Sequence, residues 1–277
     1  MRQFRLTIVI VTYNNEANIL QCLTSLKKYI NNGDILAIDN SSQDKTSRIV
    51  GKMFPKIKLI RNKKNVGFAT AANQGSRISK GDYLLFLNPD TIVKEGCIEK
   101  MVSFLKKKKD AAVVGCKVLN PDGTLQPSCG KFPTISNIIL DRIPIINKLF
   151  KTELIRQENF YNKEQDSDWM SGVFFIVRRD VFKKLGGFDE KYFLYVEDVD
   201  FCYRARNAGY KIYYNPKAKI MHYDMGKSQE RKKFKAQQMR KGFTIFFKKN
   251  KSPTYLFVWK LILLIESIFK PSLKDNK

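Results

Sequence analysis

The chain has 277 residues, 43% of them hydrophobic, and 51 Lys and Arg against 26 Asp and Glu give a formal net charge of +25. That apolar content excludes a disordered or fibrous chain and is enough for one large domain, or for one domain with an addition. The charge implies an anionic partner, whether nucleic acid, an anionic membrane surface or phosphorylated substrates, and by itself selects none of them. The five cysteines, Cys22, Cys97, Cys116, Cys129 and Cys202, form no C-x-x-C pair. Their spacing excludes a zinc knuckle and a disulfide framework and fits reduced thiols in a cytosolic compartment. The N-terminal run LTIVIV is too short for a signal peptide's apolar region plus a cleavage site.

Residues 6–11, LTIVIV, are continuously apolar and rich in β-branched side chains, which predicts a buried parallel strand. EANILQCLTSLKKY follows, with Ile19, Leu20, Leu23, Leu26 and Tyr29 near helical period. DILAIDNSSQD predicts a second strand ending in acids, KTSRIVGKMF a second helix and IKLIRN a third strand. GFATAANQGSRIS reads as a glycine-opened, alanine-rich helix and DYLLFLN as a fourth strand. In CIEKMVSFLKKKK, the run Lys106 to Lys109 suits the negative end of a helix dipole. This alternation argues for an α/β chain of β-α-β units with a parallel sheet and right-handed crossovers.

Ligands of such sheets sit at the carboxyl ends of the strands. Asp39, Asp44 and Asp90 fall at or just beyond such ends. The fourth strand stops at Asn88-Pro89-Asp90 because proline has no N–H to continue a ladder. Turn chemistry alone accounts for those residue types; their place at a strand mouth also suits a ligand.

Beyond residue 111 the pattern changes. AAVVGCKVL predicts another strand, PDGTLQPSCGKFPT is rich in turn residues, and 135–165 is irregular with an apolar piece from Ile143 to Phe150. DWMSGVFFIVRRDVFKKLGGFDE returns to strand, helix and turn, and YFLYVEDVDFCYRARNAGYKIYY passes through an amphipathic helix into a strand. From Lys227 the sequence is strongly basic, and TYLFVWKLILLIESIFK is apolar apart from Lys260 and Glu266. With charges inside and this length it falls short of a spanning helix.

The order IVIVTYNNE, AIDNSSQD, NVGFATAANQG, LFLNPD, WMSGVFFIVRRDVFKKLGGFDE, YVEDVDFCYRARNAGY and a late His in KIMHYDMGKS resembles the family 2 glycosyltransferases, over roughly residues 6 to 228. Within them it looks most like bacterial rhamnosyltransferase-type members. The resemblance implies a GT-A fold, Rossmann-like with a mostly parallel central sheet flanked by helices. It implies a donor half (about 1–110), an acceptor half (about 111–226) and a basic and apolar helical region, 227–277. It also implies an inverting mechanism, a nucleotide-sugar donor and Mg²⁺ or Mn²⁺.

Carried onto this chain, the resemblance puts Asp39 at the ring N–H of a uracil or thymine, with Thr12 and Tyr13 lining the base pocket. Capping of the next helix is the local alternative for Asp39. Gly67 would let the backbone approach the nucleotide closely, and Asn73 would face it. Asn-Pro-Asp stands where the family has D-x-D, so Asp90 is the expected metal ligand. Asn88 replaces the first acid, and its carbonyl or a water would contact metal or sugar. Within the family the Asn-Pro-Asp form leans toward dTDP-rhamnose. His222, the single histidine, stands where a second metal ligand is expected. Asp198 of Glu197-Asp198 is the expected base, since an inverting transfer needs a carboxylate to take the acceptor's hydroxyl proton. Glu197, Asp189 and Trp169 are expected on the acceptor side, and Arg204 and Arg206 beside the acids.

The basic and apolar C-terminal region suggests docking on an anionic membrane, which would place the chain in the cytoplasm at the inner face of a bacterial cell membrane. The alternatives are packing on the domain or on a second subunit, as in a homodimer. The expected acceptor is a glycan or a lipid-linked glycan of envelope synthesis. A UDP-hexose donor, a nucleotide-binding pseudoenzyme and a nucleic-acid-binding protein are the competing readings. No recognition motif supports the last.

Overall fold

The computed structural model describes residues 5–30, 33–142, 158–224 and 228–269. The apolar piece from Ile143 to Phe150 and the expected boundary at 226/227 lie outside them.

Twelve strands are described. They are β1 Leu6–Thr12, β2 Gly33–Asp39, β3 Lys58–Arg61, β4 Tyr83–Leu87, β5 Thr91–Val93, β6 Ala111–Leu119, β7 Leu125–Gln126, β8 Cys129–Gly130, β9 Gln165–Ser167, β10 Trp169–Met170, β11 Phe174–Arg178 and β12 Lys211–His222. Ten form one sheet whose main path runs β3-β2-β1-β4-β11-β6-β12-β5, with β7 on β6 and β9 on β12. β8 and β10 make a separate two-stranded ribbon.

The N-terminal half follows the sequence expectation. β1 pairs in parallel with β2 and β4, and β2 with β3. The apolar runs of β1 and β4 are buried on both faces, and that of β2 toward its end. One face packs on helices α1 (Ile19–Tyr29), α2 (Thr46–Met53) and α4 (Cys97–Lys107) through Leu23, Val50 and Met101. The other packs on α3 (Phe68–Ile78), where Ala69, Ala71 and Ala72 let the helix lie close. At Gly75 a Cβ would come within 2.5 Å of Val9, so that approach requires glycine.

The second half departs from the parallel expectation. β11 enters between β4 and β6, antiparallel to both. An antiparallel neighbour leaves no mark in an apolar run such as FFIV, because burial on both faces looks the same for either direction. β12 runs parallel to β6, and its end pairs antiparallel with β5, placing His222 opposite Thr91.

Three shorter helices, α5 (Ile135–Arg142), α6 (Arg179–Lys184) and α7 (Glu197–Asn207), belong to the second half. They precede α8 (Gln229–Asn250) and α9 (Pro253–Phe269). The last two form a hairpin in which Trp259 is fully buried and donates its indole N–H to Thr244 Oγ1 at 2.9 Å. Phe246, Phe247 and Trp259 share one apolar cluster with Tyr192, Val196, Val199 and Ile138. The C-terminal region is thus packed onto the domain. Among the described residues no helix is long and apolar enough to cross a membrane, and all five cysteines are buried and outside any disulfide.

Candidate active site

At the ends of β1 and β2, Thr12 donates to Asp39 Oδ1 at 3.0 Å, and Ser42 donates to the same oxygen through its hydroxyl at 2.5 Å. Asp39 is buried, and Oδ2 has only a long contact of 3.3 Å from the Ser42 N–H. A carboxylate has about four acceptor positions, so it retains capacity for a ligand's ring N–H. Tyr13 is exposed at the same strand end.

Beside it, Asp44 accepts from the N–H groups of Glu16 at 3.0 Å and Thr46 at 2.9 Å, while Glu16 accepts from the Lys45 N–H at 2.8 Å. Burial pushes the Asp44 carboxyl up, but those donors outweigh it and hold the group below its usual range. Asp44 is thereby a turn and capping residue. Asn40, which local patterns do not mark, holds the 62–67 loop. Its side chain bonds Asn65 at 2.8 Å, the Gly67 carbonyl at 3.1 Å, the Val66 N–H at 3.1 Å and Asn62 at 3.0 Å.

The Asn-Pro-Asp turn meets the end of β12. The Tyr223 N–H donates to the Asp90 carbonyl at 2.9 Å, and Asp90 Oδ1 lies 3.2 Å from His222 Nε2. Both side chains are nearly buried, at 12% and 7% exposure. Asp90 Oδ1 is buried and accepts no hydrogen bond. His222 Nδ1 lies 2.8 Å from Gln126 Oε1. That oxygen only accepts, so Nδ1 donates to it and Nε2 is the nitrogen turned toward Asp90. Asn88 Nδ2 makes a long contact of 3.4 Å with Nε2.

A bare carboxylate oxygen and a bare imidazole nitrogen side by side, with the second ring nitrogen donating outward, form a donor set that fits a divalent cation. No group of three or more His, Cys, Asp or Glu side chains that could hold an ion occurs among the described residues. Asp90 and His222 would therefore share the ion with oxygen ligands from outside the protein, as Mg²⁺ in particular permits. Gln126 lies 96 positions from His222, and no local signal marks it.

Glu197 and Asp198 open α7, immediately after Tyr195 and Val196 at φ +67° and +73°. Those values are rare for an aromatic and exceptional for a β-branched residue. Two consecutive left-handed residues turn the chain sharply and aim the carboxylates. Asp198 Oδ2 accepts from the Gly172 N–H and Oδ1 from the Val199 N–H, both at 2.8 Å. Burial raises its pKa, and these donors pull the other way. Glu197 is 4% exposed and its Oε2 has no partner. Burial, then the Asp198 charge, push it well above the carboxylate range. The two carboxyls thus differ: two N–H groups favour the charged form of Asp198, whereas nothing bonds Glu197 Oε2 and burial favours its neutral form. Nearby, Tyr195 is raised to about 12 by burial and by the charges of Asp224, Glu197 and Asp90.

Four expected site residues have other work. Asn73, expected at the nucleotide, is buried and spends its amide on the Phe188 carbonyl at 2.8 Å, the Phe188 N–H at 3.0 Å and Glu190 at 3.1 Å. It holds the 187–190 turn. Gly67 (φ +84°) is needed because a Cβ would lie 2.6 Å from the Phe193 carbonyl, so the close approach is to the chain itself. Asp189, expected at the acceptor, accepts from the Lys191 N–H at 3.0 Å and Lys249 Nζ at 2.9 Å. Trp169 donates its indole N–H to the Lys131 carbonyl at 2.8 Å and packs between two apolar clusters, leaving part of the ring accessible. Arg204 pairs with fully buried Asp200 at 2.7 Å, and Arg206 with Asp166 at 3.1 Å and Asp168 at 3.5 Å.

Solved structures share this architecture. A mannosyltransferase from Pyrobaculum calidifontis, solved with GDP-Man and Mn²⁺, superposes with a TM-score of 0.62 over 92% of this chain and 67% of its own, at 16% identity. TarS from S. aureus gives 0.57 over 89% and 72%, at 17% identity. GalNAc-T7, solved with UDP, GalNAc and Mn²⁺, gives 0.59 over 85% of this chain, which spans only 48% of that enzyme, at 17% identity. These likenesses show a GT-A fold.

The family model for glycosyl transferase family 2 matches residues 7–186. The chain belongs to that family. An N-acetylglucosaminyl-diphospho-decaprenol L-rhamnosyltransferase from Mycobacterium tuberculosis is 29% identical over 232 residues, covering 79% of this chain and 76% of its own. The rhamnosyltransferase WbbL from Escherichia coli K12 is 34% identical over 148 residues, covering 53% and 54%.

Proposed function

We propose that this glycosyltransferase moves rhamnose from dTDP-rhamnose, with inversion, onto a lipid-linked or polysaccharide acceptor of bacterial envelope glycan synthesis. The observation that carries the chemistry is the buried carboxyl pair opening α7, in which two N–H groups hold Asp198 while Glu197 Oε2 has no partner. The donor sugar and the acceptor class rest on the two rhamnosyltransferase relatives, one of which takes a polyprenyl-diphosphate sugar by its name.

In this reading Asp39 accepts the thymine ring N–H, with Thr12 and Ser42 fixing its carboxylate and Tyr13 flanking the base. Asp90 and His222 would hold Mg²⁺ or Mn²⁺, which when bound offsets the charge building on the leaving diphosphate. Gln126 keeps the His222 proton on Nδ1, and Asn88 borders the same position. Asp198 takes the proton of the acceptor hydroxyl as that oxygen attacks the anomeric carbon and the bond to the diphosphate breaks. Burial raises Asp198's basicity toward that task. Glu197, neutral and without a partner at Oε2, can donate a hydrogen bond to the acceptor.

A UDP-hexose is the second reading of the donor, because Asp39 meets uracil and thymine with the same geometry. Calorimetric titration with dTDP and UDP, each with and without Mg²⁺ or Mn²⁺, separates them. Metal-dependent binding that favours dTDP is expected. A UDP preference removes rhamnose, and no nucleotide binding with metal present removes the enzyme reading.

A further inference from the structure

The side of α9 turned away from Trp259 is apolar and exposed. Phe257 is 67% exposed, Leu261 46%, Ile265 47% and Val258 37%. At 100° per residue these four fall within an arc of about 100°. Lys260 is exposed at one edge of that arc. On α8, exposed Lys241 and Lys248 stand seven residues apart on one stripe. That stripe borders the face formed by Arg240, Thr244 and Phe247, which holds α9 through Glu266, Trp259 and Tyr255. Lys270, Lys274 and Lys277 follow α9 in the sequence.

A contiguous apolar strip on a surface marks an interaction site. Lys260 at its edge and the chain's +25 charge select the occupant. A second copy would bring two chains of that charge together, whereas an anionic bilayer complements them. We infer that α9 lies in the interfacial zone of an anionic phospholipid membrane, with Phe257, Leu261 and Ile265 inserted and Lys260 at the headgroups.

The inference deepens the proposed function by giving a lipid-linked acceptor a place to be met. α8 carries this face to the catalytic segment: Lys249 bonds Asp200 at 3.0 and 3.1 Å and Asp189 at 2.9 Å. A Cβ on Gly242 would fall 2.7 Å from Val196. One helix therefore separates the docked surface from Glu197-Asp198.

The test is co-sedimentation of the full chain with phosphatidylcholine vesicles, with and without phosphatidylglycerol. Binding only to the anionic vesicles is expected, weakened by salt. L261E/I265E should lower partitioning by about tenfold or more, and K260E should weaken the preference for phosphatidylglycerol. Melting temperature and nucleotide titration of both variants should match the parent, which shows that they fold. Unchanged partitioning of L261E/I265E, or no vesicle binding by the parent, overturns the inference. So does a parent dimer that L261E/I265E converts to monomer without vesicle binding, which assigns the face to a second copy. Nucleotide binding without vesicle binding defeats this inference alone; vesicle binding without nucleotide binding defeats the proposed function alone.

Discussion

The strand-end acids of the N-terminal half and the Glu197-Asp198 segment both present buried carboxylates, but by different means. Asp39 and Asp90 terminate or follow strands whose apolar runs fix their positions. The hydroxyls around Asp39 come from the same two strand ends, Thr12 and Ser42. Glu197 and Asp198 instead depend on two left-handed residues, on the Gly172 N–H from a distant strand connection, and on α8 packed against Val196. One half is a property of the sheet. The other exists only while separate pieces of chain are held together, which is where backbone strain persists.

The largest expected effect falls on the second half. Asp198→Asn keeps the shape and removes the proposed base, so kcat should drop by about 10²–10⁴-fold with nucleotide affinity nearly unchanged in calorimetry. Transfer at the parental rate would strip Asp198 of the role.

Gly242→Ala sharpens the comparison through packing. Its Cβ would lie 2.7 Å from Val196 Cγ2, 2.9 Å from Val196 Cβ and 3.1 Å from the Tyr195 carbonyl. Overpacking costs about 1–3 kcal/mol, more than the roughly 1 kcal/mol of helix propensity that alanine adds. Melting temperature and kcat should fall together. In the donor half, Gly51→Ala meets nothing closer than Leu59 at 3.9 Å and should stabilise by up to about 1 kcal/mol. Equal effects at the two glycines would contradict the contrast.

The smallest effect concerns Glu197. Its pKa is raised in the folded chain, so its favourable contribution is complete below the unfolded carboxylate pKa and is lost as pH rises through the folded value. At neutral pH Glu197→Gln should therefore stabilise, on the order of 1 kcal/mol or about 2–4 °C in Tm, while lowering turnover. The gain should vanish in acid. A pH-independent Tm difference would refute the protonated assignment.

Much of the molecule was legible in its residues. Continuous β-branched runs, alanine-lined α3 and the strand-stopping Asn-Pro-Asp follow from burial and backbone chemistry acting over a few residues, and they place Asp39, Asp90 and the α/β class. The aligned order of motifs carried Asp198 and His222. Only the tertiary structure decided that β11 runs antiparallel, that Asn73 and Asp189 serve turns, and that Gln126 orients His222. It also decided that α8 and α9 share a core with the catalytic segment. Each of these depends on contacts between residues far apart in the chain, such as Gln126 with His222 or Lys249 with Asp200. Local pattern carries no information about such pairs, because it reports burial and period but not which surface does the burying.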